Sequence, residues 1–230
     1  MIDFHTHILP GIDDGSRSVK ESLGLLREEA EQGVTVAALT PHYYAPENSP
    51  EQFMVRRQAA WEKLAPHLTG EHPRLLLGAE VLYFEGITAV EEILRLRLEG
   101  TPYLLLEMPF CDWSARMVDD VIELNSQPDT QVVLAHFERY RSFVPKDLWK
   151  TLQDHQIWLQ SNVSFFCNWK TRGKALAMLK RGDIHFVGSD CHNLTSRPPR
   201  WQELSQKAVL YAETCPGAKA LEPMLQAVTL

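Results

Sequence analysis

Histidines and carboxylates recur in this chain where they could hold a divalent cation. Asp3, His5 and His7 open it, and Asp14 follows in Asp13-Asp14-Gly15. His42 stands after Thr40-Pro41, Glu80 after Gly78-Ala79, Glu107 after three leucines and His136 after Val-Val-Leu-Ala, while Asp190 and His192 flank Cys191. Imidazole and carboxylate donors without thiolates in ligand spacing suit divalent ions such as manganese, zinc or iron. Alternate side chains of an extended strand point the same way, so His5 and His7 can grip one ion together. A shared carboxylate such as Glu80 can bridge two ions ~3.5–4 Å apart and hold a hydroxide between them. Without metal, so many buried carboxylates would repel one another.

Seven apolar runs position these residues. They span 1–4, 34–39, 75–79, 103–106, 131–135, 157–161 and 185–189, and read as parallel strands buried on both faces. Helical patterns fall between most of them, over 18–32, 51–64, 89–98, 115–124, 146–154, 173–181 and 201–214. Strand–helix alternation predicts an α/β fold with a parallel sheet, closed as a distorted seven-stranded barrel. The C-terminal strand ends of such a barrel share one face, where barrel active sites lie. Run six ends in Ser161-Asn162, whereas the other six end in histidine or acid. A lone His-x-His or a lone strand-terminal Glu means little, so that coincidence carries the signal. His67, His72, His155 and His185 fall in loops, helix ends or strand starts and read as surface or structural histidines.

Composition narrows the rest. At 230 residues, 44% hydrophobic and 23% charged, the chain reads as one soluble domain over 1–230, not a disordered or fibrous protein. A net charge of −7 argues against a nucleic-acid partner. No apolar run approaches ~18 residues, so no membrane span is expected. Four scattered cysteines exclude a disulfide scaffold and a cysteine zinc knuckle. The N-terminus lacks the pattern of a signal peptide, and the expected location is the cytoplasm.

The stretch Asp3-Phe4-His5-Thr6-His7-Ile8-Leu9-Pro10-Gly11-Ile12-Asp13-Asp14-Gly15 resembles the opening motif of the bacterial tyrosine phosphatases of capsule and exopolysaccharide synthesis, the CpsB/CapC type. These belong to the PHP superfamily, named for polymerase and histidinol phosphatase. His136-Phe137-Glu138-Arg139-Tyr140, Ser189-Asp190-Cys191-His192-Asn193-Leu194 and Arg197-Pro198-Pro199 are similar to its later motifs. The resemblance implies a PHP-type TIM-like barrel holding three divalent ions, usually manganese, with iron, zinc or magnesium as alternatives. It would assign His5, His7, Glu80 and Asp190 to one ion, Glu80, Glu107 and His136 to a second, and Asp14, His42 and His192 to a third. It also implies that Arg139 and Arg197 bind the substrate phosphate, which suits a planar guanidinium. A leaving-group proton would come from water or from a group near His42 or Asp14. The implied partner is the phosphotyrosine-bearing C-terminal tail of a bacterial tyrosine autokinase, reached through a rim of Arg139, Arg141 and Arg197. Residues 45–74 match no motif of the family.

Rival chemistries have weaker support. Cys191 and Arg197 stand in the C-x5-R spacing of cysteine-dependent phosphatases, but no glycine lies between them to let backbone N–H groups wrap a phosphate. A histidinol-phosphate or other small phosphomonoester phosphatase stays within the superfamily, and the Asp13-Asp14-Gly15 loop weighs against it. A non-enzymatic metal-binding protein would bind metal without hydrolysing any phosphoester. A metal-dependent amidohydrolase would need a bridging lysine where Glu107 and His136 stand.

Overall fold

The computed structural model describes residues 1–227. Its strands are β1 (Ile2–Thr6), β2 (Val36–Leu39), β3 (His42–Tyr43), β4 (Arg74–Leu77), β5 (Glu80–Leu82), β6 (Tyr103–Glu107), β7 (Gln131–Leu134), β8 (Trp158–Asn162) and β9 (Phe186–Gly188). The helices are α1 (Val19–Glu31), α2 (Pro50–Leu64), α3 (Ala115–Asn125), α4 (Lys146–Asp154), α5 (Val163–Cys167), α6 (Arg172–Arg181), α7 (Gln206–Glu213) and α8 (Pro216–Ala227). Local chemistry sets several starts. Ser18 caps α1 by accepting the Glu21 N–H, and Ser49 and Gln52 form a reciprocal capping box at α2 with Pro50 in its first turn.

Every strand pair is parallel, in the orders β1-β2-β4 and β3-β5-β6-β7-β8-β9. The sequence predicts one strand from each of the runs 34–39 and 75–79, but two short strands form at each place. Thr40-Pro41 separates β2 from β3, and Gly78-Ala79 separates β4 from β5. The prolyl nitrogen of Pro41 cannot donate to a ladder. Pairing resumes beyond the breaks through Gly78 N–H to Leu39 O at 2.9 Å and Glu80 N–H to Pro41 O at 3.0 Å. The sheet therefore curls. Beyond β9, Asp190 N–H donates to His5 O at 2.8 Å and His7 N–H to Cys191 O at 2.9 Å, with a parallel bridge between Thr6 and Cys191.

Alternation along the strands explains how an apolar interior leads to a polar end. Phe4, Val36, Ala38, Leu76, Tyr103, Leu105, Val133 and Phe186 form one buried cluster inside the curl. Continued in steps of two, those positions reach His42, Glu80, Glu107 and Asp190. The larger cluster lies between sheet and helices. At Gly188 a Cβ would stand 2.7 Å from His5 Cβ, so glycine lets β9 approach β1.

Three helix expectations are corrected. Residues 89–98 form no α-helix. They carry 3-10 turns at Ile87–Ala89 and Glu91–Leu96, whose buried Ile93 and Leu96 follow a three-residue period. The stretch 201–214 splits into a 3-10 turn and α7. Neither α5 nor α8 was expected, and Leu221 of α8 enters the interior cluster.

Candidate metal centre

All nine candidate ligands converge. Their donor atoms fall into four overlapping groups, each within 4.8 Å: His5, His7 and Asp190; His5, Glu80 and His136; His42, Glu80 and Glu107; and His7, Asp14, His42 and His192. No other acid, histidine or cysteine among the described residues joins them. Glu80 is the hub. Its Oε2 lies 3.1 Å from His5 Nε2, 3.3 Å from His7 Nε2 and 3.0 Å from His42 Nδ1, while Oε1 lies 2.8 Å from His136 Nε2. Glu107 reaches His136 Nε2 at 3.4 Å, and Asp14 lies 3.5 Å from His42 Nε2 and 3.4 Å from His192 Nε2.

These contacts leave an incomplete hydrogen-bond set. His42 Nδ1, Glu80 Oε2 and His192 Nε2 are buried without a hydrogen-bond partner. His42 Nδ1 and Glu80 Oε2 face each other closely but outside hydrogen-bond geometry. The Nε2 atoms of His5 and His7 face each other at 3.1 Å. Buried polar atoms left unpaired cost ~1–3 kcal/mol each, and a divalent cation satisfies such a set. The donor chemistry therefore fits metal.

A second layer of residues orients the first. Asp13 accepts from His7 Nδ1 at 2.7 Å, from the Gly15 N–H at 3.0 Å and from the His42 N–H at 3.0 Å. This fixes the His7 ring so that Nε2 points inward. Gln160 Oε1 lies 3.3 Å from His5 Nδ1 and accepts the His136 N–H at 2.7 Å. Asp3 accepts from the backbone of His5 and Ser189 and from Trp201 Nε1. Asp13 and Gln160 were not singled out from the sequence, and Asp3, grouped there with His5 and His7, serves backbone and Trp201 instead of joining the donors. The doubled aspartate and the polar end of run six were the available signals. His136 (φ 29°) and Asp190 (φ 56°) both take left-handed backbone, which non-glycine residues occupy at a cost of ~1–3 kcal/mol, mainly at functional sites.

Electrostatics reflect the crowding. Burial opposes charge on His7, but Asp13 and Glu80 push it up to about 10. Burial likewise opposes charge on His136, and Glu107 and Glu80 push it up to about 9. Burial raises Asp190, but His5, His7 and Arg139 outweigh it and hold the carboxyl well below its usual range. Burial and then His7 lower His192 to about 4. Burial, followed by Glu107 and Glu80, keeps the Tyr44 hydroxyl protonated well above its ordinary range.

Two arginines meet Asp190 at the rim. Arg139 donates to Oδ2, which also accepts from Asn162 Nδ2 at 2.8 Å, and Arg197 donates to Oδ1 at 2.8 Å. Their side chains remain 36% and 38% exposed, and Arg197 Nη1 also lies 3.9 Å from Asp14 Oδ2. Arg141 does not join this rim. Its guanidinium lies 4.3 Å over the Trp149 ring and donates to Val144 O. Cys191 is fully buried beside Glu29, and burial, with Glu29 and Asp3, raises its thiol well above the ordinary value. A buried, protonated thiol is no nucleophile, which removes the cysteine-dependent rival.

A curled parallel sheet with imidazoles and carboxylates at its C-terminal edge defines an α/β protein built around a candidate divalent-metal centre. The family is narrower: a profile of capsular polysaccharide synthesis, CpsB/CapC, matches residues 1–214, and the chain belongs to that family. It is 31% identical over 226 residues to the tyrosine-protein phosphatase CpsB of Streptococcus pneumoniae, covering 88% of this chain and 87% of that one. It is 31% identical over 211 residues to the tyrosine-protein phosphatase YwqE of Bacillus subtilis, covering 88% and 82%. Among solved structures, that of YwqE from Bacillus subtilis and CpsB from Streptococcus pneumoniae, described as metal-dependent tyrosine phosphatases, shares the fold. It superposes with a TM-score of 0.74 at 24% identity, covering 98% of this chain and 92% of the other.

Proposed function

We propose that this protein is a metal-dependent protein-tyrosine phosphatase, a phosphoric monoester hydrolase working with three divalent ions, manganese first among them. The observation that carries the reading is the convergence of nine donors, several of them orphaned, beneath two half-exposed arginines. His5, His7, Glu80 and Asp190 would hold one ion, Glu80, Glu107 and His136 a second, and Asp14, His42 and His192 a third. Counting β2–β3 and β4–β5 as single kinked strands gives seven, and the Thr6–Cys191 bridge supports closure into a distorted PHP-type barrel. When bound, such ions polarise phosphoryl oxygens and bring the pKa of water from ~15.7 towards ~7. The protein's own part is positioning. Asp13 and Gln160 fix the rings of His7 and His5, while Arg139 and Arg197 neutralise the phosphoryl oxygens as charge moves. A phenolate leaves with a pKa near ~10, far below a serine alkoxide, so a site with a weak general acid favours aryl phosphates. Relatives named as tyrosine phosphatases support this choice, and the substrate segment is read as the phosphorylated tail of a tyrosine autokinase. No helix among the described residues is long and apolar enough to cross a membrane. Four unpaired thiols suit the cytoplasm as the place of reaction.

The deciding experiment is hydrolysis of a phosphotyrosyl peptide by metal-stripped protein before and after manganese is added. We expect activity only with metal, with at least about a hundredfold difference. Undiminished turnover by the stripped protein would sink the reading.

Metal loading should also depend on pH. His7 and His136 are charged at neutral pH without metal, at about 10 and about 9, and a ligand must be neutral to bind. Manganese therefore displaces protons, and its affinity should rise by about tenfold per pH unit for each proton released. The charged histidines stabilise the metal-free fold fully below their unfolded pKa of ~6.5, and that contribution disappears as pH rises through about 9 to 10. Calorimetric titration with manganese in two buffers of different ionisation enthalpy measures the released protons. Identical heats in both would contradict the assignment of these two residues.

A further inference from the structure

Among the described residues, two tyrosine rings pack on imidazoles of the donor cluster. Tyr140 stands edge-on to His136 at 6.0 Å, and Tyr44 stacks on His42 at 5.1 Å with 19° between planes. Tyr140 is fully buried and its hydroxyl donates to Ala135 O, which fixes it as part of the core. Tyr44 is only half-buried. It lies just beyond β3, where its carbonyl accepts the N–H groups of Glu47 at 3.0 Å and Asn48 at 3.3 Å. This turn leads into the stretch 45–74 that matched no motif. The following residues, Ala45-Pro46-Glu47-Asn48-Ser49, bring no other large apolar side chain to it. Beneath Tyr44, His42 faces Glu80 through Nδ1 and Asp14 through Nε2. The tyrosine ring is therefore one stacked ring away from the donors that would hold the ions.

We infer that Tyr44 determines substrate class at this site: its half-exposed ring is the wall on which the aryl group of a phosphate ester lies. The inference rests on the phosphatase reading and adds to it the residue that prefers an aryl over an alkyl ester. Phenolate stability speeds cleavage but does not hold the substrate, so the two effects separate in the binding of unreactive analogues. Aromatic pairs with centroids ~4.5–7 Å apart contribute about three- to tenfold in affinity beyond simple burial.

The test is calorimetric binding of phenylphosphonate and methylphosphonate to the manganese-loaded protein, with manganese per chain measured in parallel. The natural protein should bind phenylphosphonate more tightly. Tyr44→Ala should weaken phenylphosphonate about three- to tenfold, leaving methylphosphonate and metal content unchanged, and Tyr44→Phe should behave as the natural protein. Equal weakening of both ligands, or loss of manganese, would make Tyr44 a mere prop for His42 and overturn the inference. So would an unchanged preference in Tyr44→Ala, or equal binding of both ligands by the natural protein. A natural protein that binds neither ligand would overturn the phosphatase reading itself, and this inference with it.

Discussion

Glu80→Ala is expected to lower kcat/KM for a phosphotyrosyl peptide by at least about a thousandfold, and to lower manganese content with it. Glu80 is 1% exposed and stands within 3.3 Å of ring nitrogens on His5, His7, His42 and His136, which no other candidate ligand does. It belongs to two of the four donor groups and borders the other two, so its removal affects all of them. After Asp13 at His7 and Glu107 at His136, it is the next group that favours the charged form of these imidazoles when metal is absent. In the alanine variant both imidazoles lose a carboxylate neighbour, and bound cations would face one negative charge fewer. Glu80→Gln separates charge from shape. It keeps the volume and one carbonyl oxygen but lacks the negative charge that divalent ions at this site would need, so it should fall with alanine rather than with the natural protein. Thermal unfolding and manganese per chain accompany the assay. A folded Glu80→Ala protein retaining more than about a tenth of natural turnover would remove Glu80 from the centre of the site.

The donors were legible in the sequence because a parallel strand delivers its last side chains to a common edge. Phe186-Val187-Gly188-Ser189-Asp190 shows this well, since two-residue steps carry the interior position of Phe186 to Asp190. Periodicity could not show the short strands β3 and β5, because His42-Tyr43 and Glu80-Val81-Leu82 lie beyond the apolar runs 34–39 and 75–79 that it marks. Nor could it separate the 3-10 turns of 87–96 from an α-helix, since both bury every third or fourth residue. Helix α8 holds Pro216, Gly217 and Pro223, residues of low helix propensity that weaken a helical signal there. Yet a Cβ at Gly217 would stand 2.4 Å from His185 O, so the glycine is there for close packing. Asp13 was present in the motif, but only the fold brings its oxygens to His7 and His42 together. Tyr44 carried no signal in the sequence, because only the fold lays its ring on His42.

Arg139→Ala and Arg197→Ala should each lower kcat by about a hundredfold or more while manganese content stays near the natural level. Both guanidiniums now rest on Asp190, and a structural reading would make them no more than its counter-charges. Two observations favour a wider role. Asp190 has other partners in Asn162, His7 and His192, so it stays paired when one arginine leaves. Each arginine is also more than a third exposed, so part of its fork is open to a ligand at the rim. A phosphoryl group gathers negative charge on its outer oxygens during transfer, and a preformed guanidinium meets that charge without reorganising. Lysine replacements discriminate, because lysine keeps the charge against Asp190 but lacks the planar pair of donors. Arg139→Lys and Arg197→Lys should therefore bind manganese normally and recover less than about a tenth of natural kcat. The inhibition constant of inorganic phosphate should rise in all four variants. If lysine restores full turnover, or if the alanine variants lose manganese in proportion to activity, the arginines serve Asp190 and not the substrate.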